Sequence, residues 1–451
     1  MDFIERFREA VKIPTWWPAG AQKGEAAAEA PLVRFQEFLV TAYPAFHKTA
    51  ERWVLSPYSV IYHWPGSGGG SDSPVLFLAH YDVVPAETEK WSVDPFGAEV
   101  KDGFVYGRGT LDMKATLISL MEGAEKLCTM NFKPTRDIWF AFGGDEERAG
   151  PIGAVQNAKW LAAKNLRFDW LLDEGTPIGV NQIKGVDSPL ALVSIEEKGY
   201  LSLALTAVQK PGHASRPPKV QAAAVLAKAL CRIAKKPFPF ELIPSVERFF
   251  RRIGPLSGGI QGFAMRHARL LGPLFFAAAA SSPTTIAMLR TTVAMTQLKG
   301  SAADNVMPSE VKAVINLRLL PSWTIERAIA FIKKVINDDR VTVSIHGTAS
   351  EPTRANPAYR GTGQHGSDQP GWKDLAAALE SAWPGTIMTP FLMVATTDSR
   401  HYKEITGSIF RFNPYKLGPD DMSGIHGHDE RISEENLIKG LQFYTKLLES
   451  M

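Results

Sequence analysis

The chain has 451 residues, 45% of them hydrophobic, enough for a sizeable core and for more than one domain. Its 50 Lys and Arg nearly balance 47 Asp and Glu, and it has no long basic run of the kind that tracks a phosphate backbone, which argues against a nucleic-acid partner. The two cysteines, Cys128 and Cys231, lack the CxxC spacing of a zinc or redox site and read as buried or idle thiols.

In chain order, the start MDFIERFREAVKIP sets Asp2, Glu5 and Arg6 among apolar residues at helical spacing rather than in the unbroken apolar stretch of a signal peptide, so a cytosolic protein is expected. Residues 66–73 form a Gly/Ser stretch that reads as a surface turn. Apolar strands are predicted over 75–79 and 138–142, each followed by a polar, Gly-bearing segment, with a helix over 113–127; this alternation predicts an α/β domain with its chemistry at the strand ends. From about residue 197 the pattern changes to a strand over 201–208, an Ala-rich helix over 220–234, a strand over 311–319 and a helix over 325–336, which describes a smaller inserted α+β domain. A Gly-rich loop over 361–371 and a helix over 372–382 then return the chain to the first domain. The expected division is 1–196, 197–350 and 351–451. The most apolar run, 270–280, is broken by Gly272 and Pro273 and falls short of the roughly 20 residues a membrane span needs.

Five polar clusters stand out. His80 and Asp82 follow the strand over 75–79 and point to the same side, so Asp82 can accept the N–H of an imidazole whose other nitrogen holds a metal. Asp112 ends a Gly-rich turn where a helix begins; its two oxygens can bridge two cations, although a helix cap is the plainer explanation. Asp145, Glu146 and Glu147 crowd the end of the strand over 138–142, where they need either solvent or a cation. Asp173 and Glu174 end another apolar run, and His426, His428, Asp429 and Glu430 form the fifth cluster. Each alone has an ordinary explanation, but five in one chain point together to a metal site with His and carboxylate ligands.

The segments HYDVVP, WSVDPFGAEVKDGFVYGRGTLDMK, GGDEE, LLDEG, PGHASRPP, TTDSRHY and GIHGHDER, spread from about residue 76 to 432, resemble the M20 family of metallopeptidases, and most nearly its carboxypeptidase S and N-acyl-amino-acid hydrolase branch. The resemblance implies a two-domain di-zinc hydrolase: an α/β catalytic domain interrupted by an α+β lid that often mediates homodimerisation. It implies His80, Asp112, Glu147, Asp173 and His426 as ligands of two Zn2+, with Co2+ or Mn2+ as substitutes that similar sites accept. Asp112 would be the bridge, Asp82 would orient His80, and Glu146 would be the general base. A cis peptide often follows the bridging Asp, here Asp112–Met113. Between Asp173 and Glu174 the family varies, and Asp173 is taken; between His426 and His428, His426 fits the pattern better. The lid residue His213 would stabilise an oxyanion, frequently across a dimer, while Asn305 and Arg400 would face the substrate, Arg400 with a fork suited to a free carboxylate. The expected substrate is a small molecule, an N-acyl amino acid or short peptide cleaved at its amide. The rivals are a dipeptidase with small polar substrates and a non-catalytic binding or dimerisation module. In the lid, Phe263, Met265, Leu270, Leu271, Phe275 and Phe276 either pack a core or line a channel for an acyl chain.

Overall fold

The computed structural model describes residues 2–18, 20–21, 23–68, 73–180, 183, 185–280, 282–355 and 369–451. Much of the expected turn over 66–73 and of the Gly-rich loop over 361–371 lies outside them. The apolar strands of the sequence meet in an eight-stranded mixed sheet, in the order Glu51–Ser56, Ser59–Trp64, Ile138–Gly143, Val75–His80, Trp170–Gly179, Ile409–Leu417, Leu190–Glu197, Ile387–Met393. Its middle is parallel: Val75–His80 runs alongside both Ile138–Gly143 and Trp170–Gly179, and the last of these alongside Ile409–Leu417.

A parallel sheet buries both faces, which is why these strands are continuously apolar rather than alternating. In Val75–His80 every residue is buried. Val75, Phe77 and Ala79 join the larger core, together with Leu117, Leu375 and Phe443 from the helices Lys114–Thr129, Trp372–Ala382 and Glu434–Glu449. Leu76 and Leu78 face the other way, towards Ala154 and Leu161 of the helix Gly153–Ala163. The amino-terminal helix Phe3–Val11 is stapled to this layer. Arg6 forks onto Glu122, and the buried Lys114 donates to the carbonyls of Ala10 and Ile13 at 3.0 and 2.6 Å, where orphan acceptors at a helix end favour a cation.

A second unit comprises Glu196–Arg354 and Leu392–Thr396, the first being Met1–Ile195, Ala355–Phe391 and Thr397–Met451. It carries a four-stranded antiparallel sheet ordered Thr292–Lys299, Glu310–Leu319, Gly199–Val208, Val341–Ser350. The helix Ala222–Lys235 packs against this sheet, and the helix Ile325–Ile336 packs against that helix and the strand Val341–Ser350. The apolar, Pro- and Gly-broken stretch of the lid folds as the helices Pro244–Ser257, Gly259–Arg266, Ala268–Ala279 and Pro283–Leu289. Its aromatic residues pack helix against neighbour: Phe275 lies edge-on to Phe250 at 5.0 Å and Phe276 stacks on Phe240 at 5.3 Å. Leu270 is 82% exposed. These residues therefore divide between core and surface, with Met265 and Phe275 buried and Phe263 and Leu270 exposed.

One local irregularity decides which side chain reaches the end of the sheet. Along Trp170–Gly179, Asp173 pairs with Arg411 but Thr176 pairs with Phe412, so Glu174 and Gly175 have no counterpart and form a bulge. The crossing is close: a Cβ on Gly175 would lie 2.2 Å from the backbone carbon of Arg411. Gly175→Ala is therefore expected to force the two strands apart at a cost of about 1–3 kcal/mol. Thermal unfolding of the variant should show a melting temperature lowered by several degrees; an unchanged value would mean that the bulge has slack.

Candidate active site

Five chain segments converge at the carboxyl ends of the parallel strands, the usual place for a site in an open α/β sheet. His80 is the last residue of its strand. Asp112 ends the turn before the helix Lys114–Thr129, and the Asp112–Met113 peptide is cis. Glu146 and Glu147 occupy the short turn after Ile138–Gly143. Glu174 sits in the bulge, and His426 follows the helix Pro419–Gly424 with φ +57.

Ligand-type atoms of His80, Glu146 and Glu174 lie within 4.8 Å of one another, as do those of Asp112, Glu147 and His426. Asp112 joins the two groups. Its Oδ1 is 3.0 Å from Nε2 of His80 and its Oδ2 is 3.0 Å from Nε2 of His426, while His426 also reaches Oε1 of Glu147 at 3.1 Å. His428 turns away and is 3.8 Å from Glu87. Asp82 does more than orient His80. Its carboxylate is 3.4 Å from Nδ1 of His80, its backbone carbonyl is nearer at 3.0 Å, and its two oxygens accept the N–H groups of Glu146 and Glu147 at 3.0 and 3.1 Å.

Asp173 does not face this centre. Its oxygens accept the backbone N–H groups of Glu174 and Ser399, at 2.9 and 2.8 Å, and the carboxylate that approaches His80, at 3.6 Å, is that of Glu174. The structure thus turns Glu174 rather than the expected Asp173 towards His80, because the bulge advances the strand by residues that sequence alternation does not reveal. Arg400 is also placed otherwise than expected. It is 8% exposed, and its fork donates to the carbonyls of Thr397 and Ala149 at 2.7 and 2.8 Å, so it braces the turn that carries Glu146 and Glu147 rather than presenting that fork to a ligand.

His213 and Asn305 belong to the second unit, where they flank a two-stranded ribbon: His213 pairs with Val306, and Ala214 donates to the Asn305 carbonyl at 2.9 Å. Both are exposed. The backbone N–H of Ser215 donates to Nδ1 of His213 at 3.1 Å, so a neutral ring carries its proton on Nε2.

Glu430 has a role that the motifs did not assign. Wholly buried, it accepts from Arg108 at 2.8 Å and from the backbone N–H groups of Gly109, Leu111 and Asp112 at 3.0, 2.7 and 3.2 Å. Arg108 in turn donates to the Gly427 carbonyl at 2.8 Å. The acidic residue closing GIHGHDE was visible, but its partners were not.

Electrostatics fits cations at both groups. Burial and the charge of Asp112 push Glu174 up to about 8. Burial and the charge of Glu174 raise Glu146 well above the carboxylate range, and burial raises Glu147. Hydrogen bonds to Asp112 and Glu147 push His426 up to about 10. Burial alone would lower His80, but the charge of Glu174 and the bonds to Asp112, Asp82 and Glu174 raise it well above its usual value. Divalent cations would offset this crowding on a donor set of imidazole and carboxylate, with Asp112 offering one oxygen to each.

The model of peptidase family M20/M25/M40 matches residues 76–450. Among curated proteins, the chain is 33% identical over 425 residues to the probable carboxypeptidase S-like 2 of Dictyostelium discoideum, covering 94% of this chain and 80% of that protein. It is 32% identical over 452 residues to the N-fatty-acyl-amino acid synthase/hydrolase of Mus musculus, covering 99% and 87%. Among solved structures, an M20 family metallo-carboxypeptidase from Sulfolobus solfataricus superimposes with a TM-score of 0.72 at 16% identity, over 100% of this chain and 99% of that one. Human carnosine dipeptidase 1 does so with 0.65 at 16%, over 99% and 95%. These two share the fold. With the motifs in order and the converging carboxylates and imidazoles in place, the chain belongs to peptidase family M20/M25/M40 and is a metallopeptidase or amidohydrolase.

Proposed function

We propose that the protein hydrolyses the amide bond of N-acyl amino acids or short peptides with two divalent cations, Zn2+ by preference. The observation that carries this reading is Asp112, which turns one oxygen to each of two histidines, each in its own ligand group. His80 and Glu174 would hold one cation, Glu147 and His426 the other, and Asp112 both. Cations held there supply Lewis acidity, polarising a carbonyl oxygen and bringing the pKa of a water near neutrality. The curated relatives, by name a carboxypeptidase S-like protein and an N-fatty-acyl-amino acid synthase/hydrolase, support this substrate class. No described helix is long and apolar enough to cross a membrane.

The chain's own groups perform the proton transfers. Glu146 would accept a proton from the attacking water at a carboxylate oxygen and return it to the amide nitrogen as that bond breaks, a single carboxyl serving first as base and then as acid. Asp82, holding the N–H groups of Glu146 and Glu147, fixes where that carboxyl starts. His213, with its proton on Nε2, is suited to donate to the oxyanion, and in a homodimer it would do so across subunits.

Three outcomes test this reading. Glu146→Gln should keep its metal content and lose about 10²–10⁴ in kcat; near-normal turnover would remove Glu146 as the base. Glu174→Gln should lower the metal bound per chain measured by elemental analysis, whereas Asp173→Asn should lower thermal stability with metal content kept; the reverse pattern would restore Asp173 as the ligand. His213→Ala should retain its metals and lose about 10²–10³ in kcat. If His213 acts across a dimer, mixing that variant with Glu146→Gln should regain activity, and no regain would confine it to its own subunit.

A further inference from the structure

Arg400 is nearly buried and donates to two backbone carbonyls, which turns attention to the basic group that lines the cavity beside the centre. We propose that Arg148 takes a substrate carboxylate, in a cavity of ≈ 420 Å³ beside the Asp112 group; this rests on the amide-hydrolase reading of the site. Asp82 and Glu147 are among the residues that line the cavity, which places it next to the centre where the amide would be cut. Trp17, Val83, Val84 and Arg148 stand among its other walls, and Arg148 is the basic group there. The Arg148 side chain is exposed, and among the described residues it forms no ion pair. Its guanidinium lies 4.7 Å from the centroid of the Trp17 ring.

Both sides of that contact are held in place. The segment bearing Trp17 is tied down where Trp16 bridges Val83, where Val83 donates to the Thr15 carbonyl at 3.3 Å, and where the Thr15 hydroxyl donates to Tyr81. The Trp17 indole itself donates to the Ala21 carbonyl at 3.1 Å. On the other side, the turn bearing Arg148 is gripped by Asp82 at Glu147 and by Arg400 at Ala149. An arginine stacked on an aromatic face keeps the edge of its fork for an anion, and a carboxylate meets that edge with two hydrogen bonds. The apolar walls of Trp17, Val83 and Val84 suit the side chain of an apolar amino acid. The cavity thus takes the amino-acid half of the substrate, with its carboxylate on Arg148.

The test compares N-acetyl-phenylalanine with its carboxamide, using the metal-loaded full chain, Arg148→Ala and Arg148→Lys. Arg148→Ala should lose about 10- to 100-fold in kcat/KM on the acid, mainly through KM, and change little on the carboxamide; Arg148→Lys should recover part of the loss. Equal losses on both substrates, or none on either, would overturn the assignment. Calorimetry of the same two ligands on Glu146→Gln, with and without Arg148→Ala, reads the contact independently of turnover. Acid binding weakened about 10-fold or more by the second change supports it, and unchanged binding overturns it. A wild-type protein that binds the acid through Arg148 yet cuts neither compound would defeat the hydrolase reading while leaving Arg148 in place.

Discussion

The geometry of the centre hangs on a carboxylate that is not among its proposed ligands. Glu430 is separated by 319 residues from Leu111, yet it accepts from Arg108 and from three backbone N–H groups of the turn that ends at Asp112. Burying a lone charge costs several kcal/mol, and here one guanidinium and three oriented N–H dipoles offset part of that cost, burial still raising the pKa of Glu430. Those bonds pin the turn from one side. Because His426 lies just before Glu430 and Arg108 returns to the Gly427 carbonyl, the same clamp sets both the carboxylate shared by the two groups and the imidazole of one of them.

Asp82 does the corresponding work on the other side. Two N–H groups from the Glu146–Glu147 turn converge on it, and the His80 ring lies against both its carboxylate and its carbonyl. Neither Asp82 nor Glu430 adds to the crowding without compensation, since each already has donors of its own. Asp112, Glu146, Glu147 and Glu174 instead gather with the two imidazoles, and burial raises them in pKa except for Asp112, where hydrogen bonds from two imidazoles win. Hydrogen bonding thus divides the acidic residues of these motifs into those that hold the frame and those that want a cation.

The motifs were legible because strand ends in an α/β sheet place polar residues directly after apolar runs, so the positions of His80, Asp112, Glu146, Glu147 and the cluster around His426 emerged from local pattern and family likeness. Where the structure places residues otherwise than expected, the causes lie mostly outside the local pattern. Asp173 or Glu174 is decided by how Arg411 and Phe412 pair across the sheet, a register that alternation within one strand does not contain. Arg400 looked like a ligand-facing fork because its acceptors, the Thr397 and Ala149 carbonyls, have no residue-type signature. The lid stretch hid its helices behind Gly and Pro: Pro244 and Pro283 open helices, and Gly258 separates two of them.

The scattering of these donors along the chain bears on folding itself. His80, Asp112, Glu147, Glu174 and His426 come from five segments that meet only once the sheet and its surrounding turns have formed. An unfolded chain has no such pocket of oxygens and nitrogens to offer, so an ion that fits it would bind the native state in preference. By mass action such an ion at a thousand times its Kd deepens the native well by about 4 kcal/mol, a large fraction of the stability of an ordinary domain. Cations held there would neutralise the charges of the centre and lock together the five segments that carry it.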